Sequence, residues 1–257
     1  MEAGLRTPLL DMFRRGEVVT EVRLLAARGV LAPRAHEQLA LLALLVSDPE
    51  PDVCRAAEET IALIPREPLK AFLARSDVPD AVREFFAARG VQPAAIPAPE
   101  IDVPLIETEP AGSVEAPEAA KQSTIQRLTV MTIVDRMQVA MKGTREERAV
   151  LIRDPNKLVS VSVLSSPKVS EAEIEAFAKM ANVSEEVLRI IGTTRAWIKN
   201  YGVVSALTRN PKTPLAVSLN LAQRLNDRDL KLLALDRNIQ EPLKLAVRKR
   251  ISSGDRR

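Results

Sequence analysis

The chain has 257 residues, 46% of them apolar, but only seven aromatic residues: five Phe, one Trp and one Tyr. That length holds one large or two modest domains with a core of Ala, Leu and Val. A single Cys and a single His exclude an internal disulfide and a closed zinc site. The net charge of +3 hides an asymmetry: residues 1–122 carry 13 Lys/Arg against 20 Asp/Glu, and residues 123–257 carry 24 against 14. The plain reading is an acidic linker and solvated basic helix faces. The functional one is a basic half drawn to an acidic partner.

Residues 1–91 read as a helical block. Leu24, Leu25, Leu31, Leu39, Leu42 and Leu45 recur at helical spacings, with Gly16 and Gly29 as punctuation. The longest apolar run, Leu39 to Val46, has eight residues, far short of the ~20 that span a bilayer. Met1-Glu2-Ala3-Gly4 lacks the basic-then-apolar start of a signal peptide, so a cytoplasmic location is expected. Ser47-Asp48-Pro49-Glu50-Pro51-Asp52-Val53 is echoed 29 residues later by Ser76-Asp77-Val78-Pro79-Asp80-Ala81-Val82. His36 has no glycine-rich elbow beside it and no triad to join. Cys54 reads as a small core residue.

Residues 92–122 read as a Pro/Ala/Glu-rich linker. Pro93, Pro97, Pro99, Pro104, Pro110 and Pro117 interrupt any helix, and the interspersed Glu and Asp residues keep the segment solvated. A semi-extended spacer is the plain reading; a recruitment motif over Ile101-Asp102-Val103-Pro104-Leu105-Ile106 is the functional one.

Residues 123–257 form a basic helical-repeat domain. Thr124 to Met141 reads as one longer helix, stopped by Gly143. Thr144 with Glu147, and Ser170 with Glu173, are spaced as capping boxes. Thr213 reads as an N-cap before Pro214 at the first helical position, and Asn226 with Asp229 opens a further helix. Across this region the sequence nearly repeats every 28 residues: Asp154, Asn182, Asn210 and Asn238; Val159, Val187, Leu215 and Leu243; Val163, Ile191, Leu219 and Val247. Such a period marks stacked units of two short helices. The Val/Leu positions form the inward stripe, and Ala178, Ala206 and Ala234 permit close helix approach. The Asp/Asn ladder falls in the turns between helices. The predicted fold is therefore all-α, an α-solenoid of stacked short helix pairs, with two helical blocks joined by a Pro-rich linker.

Residues 124–251 resemble a bacterial short helical-repeat family related to HEAT and armadillo folds. The segments that carry the likeness are Lys142-Gly143, Leu151-Ile152-Arg153-Asp154-Pro155-Asn156, Val163-Leu164-Ser165-Ser166-Pro167, Arg195-Ala196-Trp197-Ile198-Lys199-Asn200-Tyr201 and Asn210-Pro211-Lys212-Thr213-Pro214. The resemblance implies a fold and a binding role; it brings no catalytic residues. Residues 1–122 carry no such likeness.

No catalytic, metal or cofactor grouping stands out, and no enzyme activity is expected. Paired carboxylates such as Glu146-Glu147 and Glu185-Glu186 fall in predicted first helical turns, where the macrodipole favours them. Arg153, Arg209 and Arg237 share one repeat position and form a candidate row. Arg195 and Lys199 are placed on one helical face, with Trp197 and Tyr201 on another. The repeat register assigns Trp197 to the core and leaves Tyr201 a surface candidate. Arg195, Lys199, Tyr201, Arg153, Arg209 and Arg237 are thus the candidate partner-binding residues. The expected function is a scaffold binding a protein along a solenoid face. The alternative is nucleic-acid binding through residues 123–257.

Overall fold

The computed structural model describes residues 7–32, 34–99, 103–106 and 124–254. Among them are sixteen α-helices and a short 3-10 helix, with no strand, so the class is all-α. No described helix is long and apolar enough to cross a membrane. The chain divides into two compact units, residues 1–138 and 139–257.

The first unit contains α1 (Pro8–Arg14), α2 (Thr20–Ala27), α3 (Ala35–Leu45), α4 (Pro51–Leu63), α5 (Arg66–Leu73), α6 (Asp80–Ala87), α7 (Thr124–Val130) and the first turns of α8 (Ile133–Lys142). Thr7 caps α1 by accepting from the Leu10 amide at 3.3 Å. Gly16 and Gly29 follow α1 and α2 at φ of 69° and 78°. The next amides, of Glu17 and Val30, reach back five residues to the Met12 and Leu25 carbonyls, which satisfies last-turn acceptors in the Schellman manner.

Helix α3 packs on α1, α2, α4 and α6 and buries Leu39, Leu41, Leu42 and Leu45. His36 meets Phe72 edge-on at 4.7 Å, with its Nε2 3.5 Å from Asp77. The half-buried Cys54 donates its thiol to the Asp48 carbonyl at 2.9 Å. The sequence echo has a shared structural role: Asp48 and Asp77 lie in the turns before α4 and α6, and each grips an arginine. Arg23 binds both Asp48 oxygens at 2.7 Å. Arg75 binds Asp77 at 2.6 and 3.0 Å, and that hydrogen bonding holds the Asp77 carboxyl below its ordinary range.

Two expectations change here. Residues 124–141 are not one helix: α7 ends at Val130 and α8 begins at Ile133. Thr132 supplies the reason, since its hydroxyl accepts from the Asp135 amide at 3.2 Å and donates to the Asp135 carboxylate at 2.7 Å. That local capping arrangement competes with helix continuation. The linker is also not wholly a solvated spacer. The Ala94 and Ala98 amides donate to the Lys70 and Ala71 carbonyls in the last turn of α5, at 3.0 and 2.7 Å. Ile101, Asp102 and residues 107–122 lie outside the described residues.

The second unit continues α8 and adds α9 (Arg145–Leu151), α10 (Lys157–Leu164), α11 (Glu171–Lys179), α12 (Glu185–Thr193), a 3-10 helix (Trp197–Lys199), α13 (Tyr201–Arg209), α14 (Leu215–Ala222), α15 (Asp227–Leu235) and α16 (Glu241–Gly254). Thr144 with Glu147 and Ser170 with Glu173 form reciprocal capping boxes, and Asn226 caps α15. Helix α11 packs on α13 and α13 on α15; α10 packs on α12, α12 on α14 and α14 on α16. Alternate helices therefore form two rows of contacts. Ala178, Ala206 and Ala234 are all buried.

The inward stripe holds for α10, α12 and α16 but not for α14. Val159, Val187 and Leu243 are buried, whereas Leu215 and Leu219 are half-buried. The cause is a slip in the repeat. Helix α12 starts 28 residues after α10, but α14 starts 30 after α12. Two extra residues rotate a helical position by about 200°. Val217 and Ser218 consequently replace Leu215 as the counterparts of Val187 and Leu188, and Val217 would meet a side chain at Gly192, whose Cβ would lie 2.4 Å from Val217 Cγ1. Pro214, rather than Thr213, is the N-cap of α14.

The Asp/Asn ladder does lie in the inter-helix turns, with unequal roles. Asp154 and Asn210 accept from the amides two residues on, at 2.8 and 3.0 Å. At the last turn Asp236 takes that role for the Asn238 amide. Buried Asn210 also donates to the Ala178 and Met180 carbonyls at 2.8 and 3.0 Å, fastening its turn to the preceding helix pair.

Candidate functional site

A groove of about 890 Å³ opens over α11 and α13 in the second unit. Glu175 and Lys179 come from α11, Tyr201, Ser205 and Arg209 from α13, and Asn238 from the turn after α15. Ala181, Ala206 and Pro211 supply apolar surface between them.

The groove's shape depends on small and capped residues at the start of α13. Asn200 caps that helix by accepting from the Gly202 amide at 2.8 Å. A Cβ on Gly202 would lie 2.4 Å from the Glu175 carboxylate, so a larger residue here would push that acid aside. Glu175 is engaged by Lys179 at 2.6 Å, an i, i+4 pair on one helix face.

Tyr201, Arg209 and Asp229 form the polar cluster at the other side. Tyr201 donates its hydroxyl to Asp229 Oδ2, and Arg209 donates to Asp229 Oδ1 at 2.8 Å. The Tyr201 oxygen accepts in turn from the Asn226 amide at 3.3 Å. Partial burial and the hydrogen bond to Asp229 push the Tyr201 hydroxyl above its ordinary range. It is a neutral hydroxyl that donates to Asp229. With 42% of its surface exposed, the ring still presents an apolar face beside the groove.

Of the six candidate residues, Tyr201 and Arg209 meet in this cluster. Arg153 folds back to donate to the Ala149 carbonyl at 3.0 Å, the helix C-terminal role open to a cation. Arg237 is exposed in the turn between α15 and α16. Arg195 and Lys199 are exposed but do not share an α-helical face, because residues 194–200 form a turn and a 3-10 helix. Nor is Trp197 a core residue; it is half-buried at the start of that 3-10 helix. The connection is too short and too irregular to carry the α-helical spacing behind the first expectation or the repeat register behind the second.

Glu175, Lys179 and Asp229 were not foreseen. One signal for Asp229 was present: Tyr201 and Asp229 are 28 residues apart, one repeat, so stacking of equivalent positions brings them together. The carboxylate pairs Glu146 and Glu147, Glu171 and Glu173, Glu185 and Glu186, and Asp227 and Asp229 each lie in a first helical turn. Among the described residues no group of three or more Cys, His, Asp or Glu is placed to hold a metal. No family model, curated protein or solved structure matches the chain.

Proposed function

We propose that the chain is a non-enzymatic interaction module whose second unit is a short solenoid of the general HEAT/armadillo type, binding a segment of another protein in the α11–α13 groove. The two rows of alternating helix contacts support the solenoid reading, as do hydrogen bonds that recur at about one repeat. Arg148 reaches Glu173 across 25 residues, Arg250 the Ala222 carbonyl across 28, and Gln240 the Pro211 carbonyl across 29.

The observation that carries the choice of partner is the pairing of the groove's charges. Lys179 is held by Glu175 and Arg209 by Asp229. A phosphate backbone entering here would meet cations already engaged and two carboxylates that repel it. A polypeptide, with its own donors, acceptors and apolar side chains, suits a groove of mixed sign around an exposed tyrosine. Nucleic-acid binding keeps a separate basis in the exposed Arg228, Lys231, Arg248 and Lys249 of α15 and α16.

A photo-crosslinking residue placed at Ser205 of the full chain, in its native cells, tests the reading. A discrete protein adduct that survives nuclease, and is missing with the crosslinker at exposed Arg145, is the expected result. Nuclease-sensitive adducts, or the same adducts from both positions, would count against it.

A further inference from the structure

In the first unit, Gln38 of α3 is almost wholly buried, at 1% exposure, yet it serves neither the helix nor the core around it. Its side-chain oxygen accepts from the Leu105 and Ile106 amides at 2.8 and 3.2 Å. Its Nε2 donates to the Ile106 carbonyl at 2.8 Å. One carboxamide thus takes both the donor and the acceptor of Ile106. The same stretch is held upstream by Arg75, whose guanidinium donates to the Pro99 carbonyl at 3.3 Å. Leu105 and Ile106 are half-buried, whereas Val103 is 57% exposed.

We propose that the face of α3 around Gln38 is a peptide-docking slot, that Val103–Ile106 is its built-in occupant, and that it accepts in trans a segment of another protein in which a proline precedes two aliphatic residues at a bend. Three features define that partner. The contacts made by Gln38 are all to main chain, so they place no demand on side-chain identity. Leu105 and Ile106 are the half-buried positions and call for aliphatic residues. Pro104 restricts the backbone before docking, which lowers the ordering cost of the segment. Gln38 is buried with the segment in place, so the docked main chain replaces water as its hydrogen-bond partner. The tethered segment fills it at an effective concentration on the order of millimolar, and an incoming segment must compete with it.

The test uses the full chain and a fluorescein-labelled synthetic peptide of residues 99–107, followed by anisotropy. With Leu105→Asp and Ile106→Asp the tethered segment should leave the slot, and this variant should bind the peptide at least about tenfold more tightly than the wild type. Adding Gln38→Ala should abolish that binding, as should the same two Asp substitutions placed in the peptide. Gln38→Met, which keeps the volume and removes the hydrogen bonds, guards against loss of folding; with unchanged helicity and thermal unfolding it should fail to bind as well. Equal binding by wild type and strap variant, no binding by the strap variant, or binding that survives Gln38→Met would overturn the proposal. So would a concentration-dependent dimer of the wild type that the strap substitutions abolish, since the occupant would then be a second copy of this chain.

Discussion

Arg148→Ala should destabilise the second unit by removing one partner of a buried ion pair. The Arg148 guanidinium and the Glu173 carboxylate are each 5% exposed. Arg148 donates to Glu173 from Nε at 3.0 Å and from Nη2 at 2.8 and 3.1 Å, and also to the Gly143 and Lys168 carbonyls at 2.9 and 3.3 Å. Removing one partner of a buried pair leaves the other charge uncompensated, which costs about 3–5 kcal/mol. Glu173 keeps the Ser170 amide and hydroxyl at 3.1 and 3.0 Å, so the lower end, about 3 kcal/mol, is expected. Trp197, the single tryptophan, lies in this unit and reports its unfolding by fluorescence. With a urea dependence of about 2 kcal/mol per molar, the midpoint should fall by about 1.5 M. The exposed pair Lys179–Glu175 provides the contrast: Lys179→Ala should move the midpoint by no more than about 0.5 M. If the two variants shift alike, the buried pair is not what fastens α9 to α11.

The same pair sets a pH dependence. Burial pushes the Glu173 carboxyl up, but the hydrogen bonds from Ser170 and Arg148 outweigh it and hold the group below its ordinary value of 4.5. A carboxyl depressed in the folded state binds fewer protons there than when unfolded. Its stabilisation is therefore present above pH 4.5 and is lost as the pH falls through the lower folded value. The difference between wild type and Arg148→Ala should shrink over that acid window and stay constant above pH 6 or so.

Other substitutions probe the helix register. Gly192→Ala should destabilise by about 1–3 kcal/mol because the new Cβ overlaps Val217, although glycine to alanine inside a helix ordinarily stabilises by about 1 kcal/mol; adding Val217→Ala should recover most of the loss in the same urea titration. Ile191→Ala, at a fully buried position, should cost about 2–5 kcal/mol, and Leu215→Ala about 1 kcal/mol. The reverse order would restore the uniform 28-residue stripe. Asn210→Ala strands the Ala178 and Met180 carbonyls and should cost about 1–3 kcal/mol, read as a lower thermal midpoint of the Trp197 signal.

Much of the second unit was legible because its determinants are local. The Thr144 and Ser170 boxes need only residues three apart, and Ala178, Ala206 and Ala234 are small in every copy. What escaped notice depends on small offsets or distant partners. Helix α14 starts two residues later in its repeat than α12, which leaves Leu215 half-buried although the letters that mark the repeat are undisturbed. Thr132 looks like any helical threonine until its bonds to Asp135 are placed. Gln38 is an ordinary polar residue in an apolar helix, and its role appears only when a segment 67 residues onward reaches it. For the groove, Tyr201 and Arg209 were foreseen as surface groups, but the carboxylates that engage their neighbours and themselves were not.

We propose that the α11–α13 groove receives protein rather than nucleic acid, because its cations are already engaged within the fold. Anisotropy of labelled single-stranded and duplex oligonucleotides of about 20 residues, titrated with the full chain from about 50 to 200 mM salt, tests it most directly. Lys179→Ala and Arg209→Ala should leave any binding, and its slope with salt, unchanged. Binding that weakens in both variants, with a shallower salt slope, would place phosphates in the groove and contradict it.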